Sequence, residues 1–268
     1  MTCSKWQISD DLWDKMAPLL PEHKTHHPLG THRKRVDNRA AMNAIFFVLR
    51  SGCQWNALNA TGICSSSSAH RRFQEWRDAG VFERFWQNGL LVCEKLEAID
   101  WSWLSMDGCV TKSPLAGSKK TGRNPTDRGK QGIKRSLMTD ANGLPLALVV
   151  SGANTHDIKL VEDTLNALQT GRPGYRLRLC MDKGYEAEWL ENWLKARRYE
   201  PHIQSRKEES ESLKNTDFKA HRWVVERIHS WMNRFRRILT RWEKKVENYE
   251  AMLHFACSII VWNKILLG

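Results

Sequence analysis

The chain has 268 residues, a formal net charge of +12 at pH 7 and a pI near 9.5. That length buries a substantial core, and so large a basic excess points to a polyanionic partner, nucleic acid ahead of an anionic membrane. No apolar run reaches about 18 residues, the N-terminal MTCSKWQISDDLW lacks the layout of a secretory signal, and seven cysteines scattered without a C-x-x-C pair argue against a disulfide framework or a structural zinc site. A soluble, intracellular protein with reduced thiols is therefore expected.

Residues from about 8 to 97 read as helices. Ser9 is placed to cap a helix carrying Leu12, Trp13, Met16 and Leu19, which Pro21 ends; Arg39 to Arg50 carries Met42, Ile45, Phe46 and Leu49 and stops at Gly52. A helix from near Ser67, with His70, Arg71, Arg72, Phe73, Trp76 and Arg77, ends at Gly80, and another runs from about Val81 to Leu96. Short helices, a tight joint at Gly52 and two arginines beside a serine N-cap fit a helix-turn-helix DNA reader, although a helical bundle with a basic surface gives the same pattern. Most of the thirteen tryptophans read as core anchors, with Trp55, Trp76 and Trp231 open to base stacking.

Near Asp100 the pattern changes. Trp101 to Met106 reads as a short strand ending in Asp107 and Gly108, and Lys112 to Gly132 reads as a loop rich in Gly, Lys and Arg. Its glycines match neither nucleotide-binding spacing, while Lys119, Lys120, Arg123, Arg128 and Lys130 suit phosphate contact. Ile133 to Thr139 and Leu144 to Ser151 form a predicted hairpin around Asp140, Asn142 and Gly143. Asp157 is expected to cap a helix bearing Leu160, Val161, Thr164, Leu165 and Leu168. Leu177 to Met181 reads as a buried strand ending in Asp182, followed by a helix from about Glu188 to Arg198 and a short strand at Pro201 to Gln204. A charged loop, Lys207 to Lys214, leads to RWVVERIHSWMNRFRR (222–237), a basic amphipathic helix with Arg222, Glu226, His229, Asn233 and Arg234 near one face. Tyr249 to Leu267 closes the chain as an apolar helix. The element order is mixed α/β around one central sheet, preceded by an all-α region.

Asp107 and Asp182 each follow an apolar strand and precede a glycine within two residues. Groups at the carboxyl ends of strands face the ligand crevice of an α/β sheet. Side by side, the two carboxylates would repel each other unless a cation lay between them, and Glu226 on a helix across that edge would complete an oxygen set suited to Mg²⁺ or Mn²⁺. Two such ions support phosphodiester chemistry without a protein nucleophile.

The stretches MDG (106–108), GRNPTDRGKQGIKRSLMTDANGLPLALVVSGANTHD (122–157), MDKGY (181–185) and RWVVERIHSWMNRFRRILTRWEK (222–244) resemble the IS5-type group of bacterial insertion-sequence transposases. The N-terminal pattern from Trp13 to Pro21, with NAIFFVLRSGCQW and HRRFQEWRDAGVFERFW, resembles the helical domain that precedes the core in that group. The resemblance covers nearly the whole chain. It implies a helical DNA-binding domain at 1–98 and an RNase H-like core at 99–268, with Asp107, Asp182 and Glu226 as an Asp-Asp-Glu triad holding two Mg²⁺ or Mn²⁺ ions. The short interval from Asp182 to Glu226 leaves no room for an inserted domain. Around Glu226 the family pattern is met in part: Arg222 and Glu226 match, Lys219 stands where Tyr is expected and Asn233 where Lys is expected, with Arg234 the adjacent substitute. His156 and Asp157 resemble a recurrent pair of the family, Asp157 reading as a helix cap beside the active-site edge.

The expected activity is DNA transposition in the bacterial cytoplasm, at the nucleoid: binding of terminal inverted repeats, hydrolysis at the ends, and joining of 3′-hydroxyls to target DNA, by a homodimer or larger assembly on double-stranded DNA. The DNA-contact candidates are Arg71, Arg72, Lys119, Lys120, Arg123, Lys130, Arg222, Arg234 and Arg237. A metal-dependent nuclease without strand transfer, or a domesticated DNA-binding protein with an idle core, would carry the same residues.

Overall fold

Local signals set most element ends. In the computed structural model, which describes residues 6–23, 35–115, 119–204 and 222–267, Ser9 caps α1 (Asp10–Met16) by accepting from the Leu12 amide. Asp37 caps α2 (Asn38–Ser51), and Gly52 closes it at φ 72°, a left-handed conformation that glycine adopts without a Cβ penalty. Between α2 and α3 (Ser66–Asp78) lies a 3₁₀ turn, Trp55–Ala60, and the α3 cap is Ser65, slightly ahead of the expected start. After Gly80, α4 spans Val81–Lys95.

Among the described residues, six strands form one mixed sheet: β1 Leu104–Lys112, β2 Gly122–Arg123, β3 Gln131–Thr139, β4 Pro145–Gly152, β5 Leu177–Asp182 and β6 Tyr199–Gln204. The order is β2-β3-β1-β5-β6, with β4 also on β3; β1, β3 and β4 are antiparallel neighbours, and β5 and β6 join in parallel. Three antiparallel strands continued by two parallel ones make the RNase H-like sheet that the resemblance implies. The β3–β4 turn is held by Asp140, whose Oδ1 accepts from the amides of Asn142 and Leu144. A helix, α6 (Glu188–Ala196), links β5 to its parallel neighbour β6.

Three differences from expectation bear on the surroundings of the strand ends. β1 does not stop at Met106 but continues to Lys112, because Gly108 to Lys112 keep pairing with β3 down to Gly132. The predicted 112–132 loop contains the short strand β2, paired to the start of β3. The segment after Thr155 is a 3₁₀ turn, Asp157–Leu160, followed by α5 (Val161–Asn166), so Leu168 lies past the helix. Its cap is His156, whose Nδ1 accepts from the Ile158 amide; Asp157 is turned elsewhere.

The last two helices are α7 (Arg222–Met232) and α8 (Val246–Leu267). α8 has the length and apolarity of a bilayer-crossing helix, yet most of it is buried against protein. It packs along α4, where Gly89 lets Val261 and Trp262 approach: a Cβ there would lie 2.9 Å from Val261 Cγ1. The Trp262 indole donates to Phe85 O and the Trp86 indole to Pro145 O, tying the helical region to the sheet through one continuous apolar core.

Candidate active site

β1 and β5 run in parallel with Leu104 opposite Leu179 and Ser105 opposite Cys180. Asp107 and Asp182 each lie three positions beyond the first of those pairs, so the register, continued along both strands, puts the two residues at the same level and on the same face. Asp182 is the last residue of β5 and caps the next turn by accepting from the Gly184 amide at 2.8 Å. Asp107 is interior to β1, and its Oδ1 takes the Gly108 amide at 2.8 Å.

α7 packs across β1, β3 and β5 at this level. His229 fixes the crossing: it is buried, and its Nε2 lies 3.4 Å from the Asp107 carbonyl. Glu226, one turn earlier, is on the exposed side of the helix and close enough for its charge to act on Asp107. Burial, then the charges of Asp182, Glu226 and Asp157, push the Asp107 carboxyl up to about 7 against the Gly108 hydrogen bond. Burial and the Arg135 charge push His229 down to about 3, so it is neutral at physiological pH.

A half-buried carboxyl with carboxylates near it, and oxygen as the donor type, fits a hard divalent cation. Among the described residues no three ligating side chains already converge on one point. Mutual repulsion is a sufficient physical reason for carboxylates to stay apart until a cation draws them in.

Asp157 approaches the same strand. Its Oδ2 is paired with Lys134 Nζ at 2.7 Å, and its Oδ1 occupies space that only a glycine at 108 leaves: a Cβ on Gly108 would lie 1.8 Å from it. Tyr185, buried on the 3₁₀ turn after Asp182, has its pKa raised by burial and then by Asp157, Asp107 and Asp182. Lys134 and Tyr185 escaped the sequence reading. The available signal was Lys134–Arg135, two adjacent cations in a strand buried on both faces, each of which needs its own partner.

The DNA-contact candidates divide by burial. Arg71, Lys119, Lys120, Arg123, Lys130 and Arg234 are exposed, with Lys119 3.7 Å from Glu247, Lys120 2.8 Å from Glu250 and Lys130 3.9 Å from Asp127. Arg72 is a correction: it is buried, donating to Asn38 Oδ1 and Val36 O, because it points from α3 into the α2 side of the bundle. Arg237 is a second correction, since it is buried in an ion pair with Glu243 at 2.6 Å and also donates to Cys53 O. Trp76 is buried and unavailable for stacking, whereas Trp223 and Trp231 are exposed and flank Arg227 at 4.4 and 5.1 Å. The Arg222 side chain and the 207–214 loop lie outside the described residues.

Residues 8–86 match the family described as "Putative transposase of IS4/5 family", and residues 98–261 match the family described as "Transposase DDE domain". The chain is 38% identical over 155 residues to the "Putative transposase for insertion sequence element IS402" of Burkholderia cepacia, covering 56% of this chain and 72% of that protein. It is 35% identical over 119 residues to the "Insertion element IS402 uncharacterized 16.2 kDa protein" of the same organism, covering 44% and 80%. Solved structures similar to it include a piggyBac transposase synaptic complex with hairpin DNA (TM-score 0.48, 13% identity, 97% of this chain and 74% of that one) and the Mos1 mariner paired end complex with Mn (TM-score 0.31, 13% identity, 90% and 82%). The chain belongs to the DDE transposase family of IS4/5-type insertion sequences.

Proposed function

We propose that the protein cuts at the ends of its insertion sequence and joins the freed 3′-hydroxyls to target DNA, with Asp107, Asp182 and Glu226 as the cation-holding triad. The observation that carries this reading is the level placement of Asp107 and Asp182 on adjacent parallel strands under the helix that bears Glu226. Asp107 and Asp182 would hold divalent ions at the strand level, and Glu226 would close over them from α7. Two bound Mg²⁺ or Mn²⁺ ions supply activation of water or a 3′-hydroxyl and stabilisation of the in-line phosphoryl transition state.

The chain's own residues do the rest. The β1–β5 pairing at Leu104–Leu179 and Ser105–Cys180 sets the register from which both aspartates follow at equal distance along their strands, and neutral His229 braces α7 on the Asp107 carbonyl without adding a competing cation. Exposed Arg71 on α3, Arg123 on β2 and Arg234 after α7 attract the DNA backbone, and the net charge of +12 speeds encounter. Asn233 does not supply the contact with element-end DNA that the family assigns to a lysine; Arg234 takes that role. Work on two ends at once requires at least a dimer on DNA, in the cytoplasm where the element resides.

The test is an incubation with Mg²⁺, donor DNA bearing the element's own ends and a plasmid target, followed by junction sequencing. Joined products that vanish in Glu226→Gln support the reading. Cleavage without joining leaves a nuclease, and end binding without cleavage by the wild-type chain leaves a DNA-binding protein.

A further inference from the structure

On the far face of β1 from the Asp107 side chain lies a small polar cluster made by Lys134, Asp157 and Tyr185. Adjacent residues of a strand point to opposite faces, so the space above Gly108 is on the side opposite Asp107. Asp157 fills that space, with Oδ1 where a Gly108 Cβ would otherwise be. Lys134, only 8% exposed at its side chain, holds Asp157 Oδ2 at 2.7 Å.

Two buried polar atoms of this cluster have no hydrogen-bond partner among the described residues: Asp157 Oδ1, an acceptor, and the Tyr185 hydroxyl, a donor on a residue 1% exposed. They belong to turns that pack on each other, Asp157–Leu160 and Lys183–Tyr185. The second turn is the one that Asp182 caps, and the first presses on the residue following Asp107. A buried donor and a buried acceptor left unsatisfied each forfeit the free energy of a hydrogen bond, and the two lie on turns that pack against each other.

We propose that Lys134, Asp157 and Tyr185 form a positioning cluster in which Tyr185 donates to the Asp157 carboxylate and locks the turn after Asp182 to the strand of Asp107, so that both aspartates meet a divalent cation at one spacing. This rests on the reading of Asp107 and Asp182 as cation ligands. Lys134 holds one carboxylate oxygen so that the other is aimed at the tyrosine. None of the three is a ligand in this scheme; they act through the spacing of the two aspartates, as outer residues do in metal sites.

The experiment titrates Mn²⁺ into the full-length, metal-free chain and follows free Mn²⁺ by electron paramagnetic resonance, with melting temperature measured on each variant. Tyr185→Phe removes a single oxygen from a packed site and keeps the ring. It is expected to weaken Mn²⁺ binding by about tenfold or more with little change in melting temperature. Asp157→Asn is expected to weaken it similarly, and the double variant to be no worse than the weaker single, because both changes break one link. Wild-type Mn²⁺ affinity in Tyr185→Phe overturns the proposal even if Asp157→Asn fails to fold. Asp182→Asn separates the two readings: if it abolishes Mn²⁺ binding while Tyr185→Phe does not alter it, the positioning cluster alone is wrong; if it leaves binding intact, the ligand assignment beneath it fails.

Discussion

The buried guanidinium of Arg135, on β3, donates to Asn233 Oδ1 at 3.2 Å, in the turn just past α7. Asn233 is where related transposases are expected to carry a lysine. Here the neighbouring cation comes from the sheet, and a neutral acceptor faces it. Asn233→Lys should therefore destabilise the fold, by roughly 1 to 3 kcal/mol, through like-charge repulsion and loss of an acceptor for a buried cation. Chemical denaturation measures it; an unchanged midpoint would show that the α7 end relaxes away from Arg135.

Gly108 is needed for lack of a side chain, since a Cβ would meet Asp157 Oδ1 at 1.8 Å. Gly108→Ala should cost about 1 to 3 kcal/mol by overpacking, and end cleavage should fall further than stability because β1 carries Asp107. A Gly108→Ala protein with wild-type melting and wild-type cleavage would contradict the contact.

Asp107 supplies a pH signature. Its carboxyl is raised from 3.8 to about 7 in the fold, so the ionised form is the one that folding disfavours. The stabilising contribution is complete below the unfolded value and is lost as pH rises from about 4 through 7. In chelator at pH 8, Asp107→Asn should be more stable than wild type by roughly 1 to 3 kcal/mol, and the difference should vanish near pH 4. Mg²⁺ should raise the melting temperature of the wild type and not of the variant. A difference independent of pH would remove Asp107 from the crowded site.

Basic residues should separate into two behaviours. Arg237→Ala breaks a buried pair and leaves Glu243 uncompensated, at a cost of about 3 to 5 kcal/mol. Arg71→Ala, on the exposed side of α3, should leave stability within about 0.5 kcal/mol and weaken binding to the element's ends, with a shallower salt dependence. Thermal melts and binding across a salt series read both; equal effects of the two substitutions on stability would mean that the burial assignment is wrong.

Much of the architecture is legible in the chain because it rests on local physics. Caps at Ser9 and Gly52, the apolar runs before Asp107 and Asp182 and the period of 222–237 are decided by neighbours a few residues away, and they located the candidate triad. What sequence could not decide was burial, which depends on partners far along the chain. Arg71 and Arg72 are adjacent on one helix, yet one is exposed and the other binds Asn38 and Val36. Asp157 resembles a helix cap until β1 and β3 bring Gly108 and Lys134 against it, which leaves His156 to cap the turn. Asn233 reads as a missing lysine until β3 places Arg135 beside it. In each case the local pattern allows several partners, and only the packed sheet and helices determine which one is within hydrogen-bond reach.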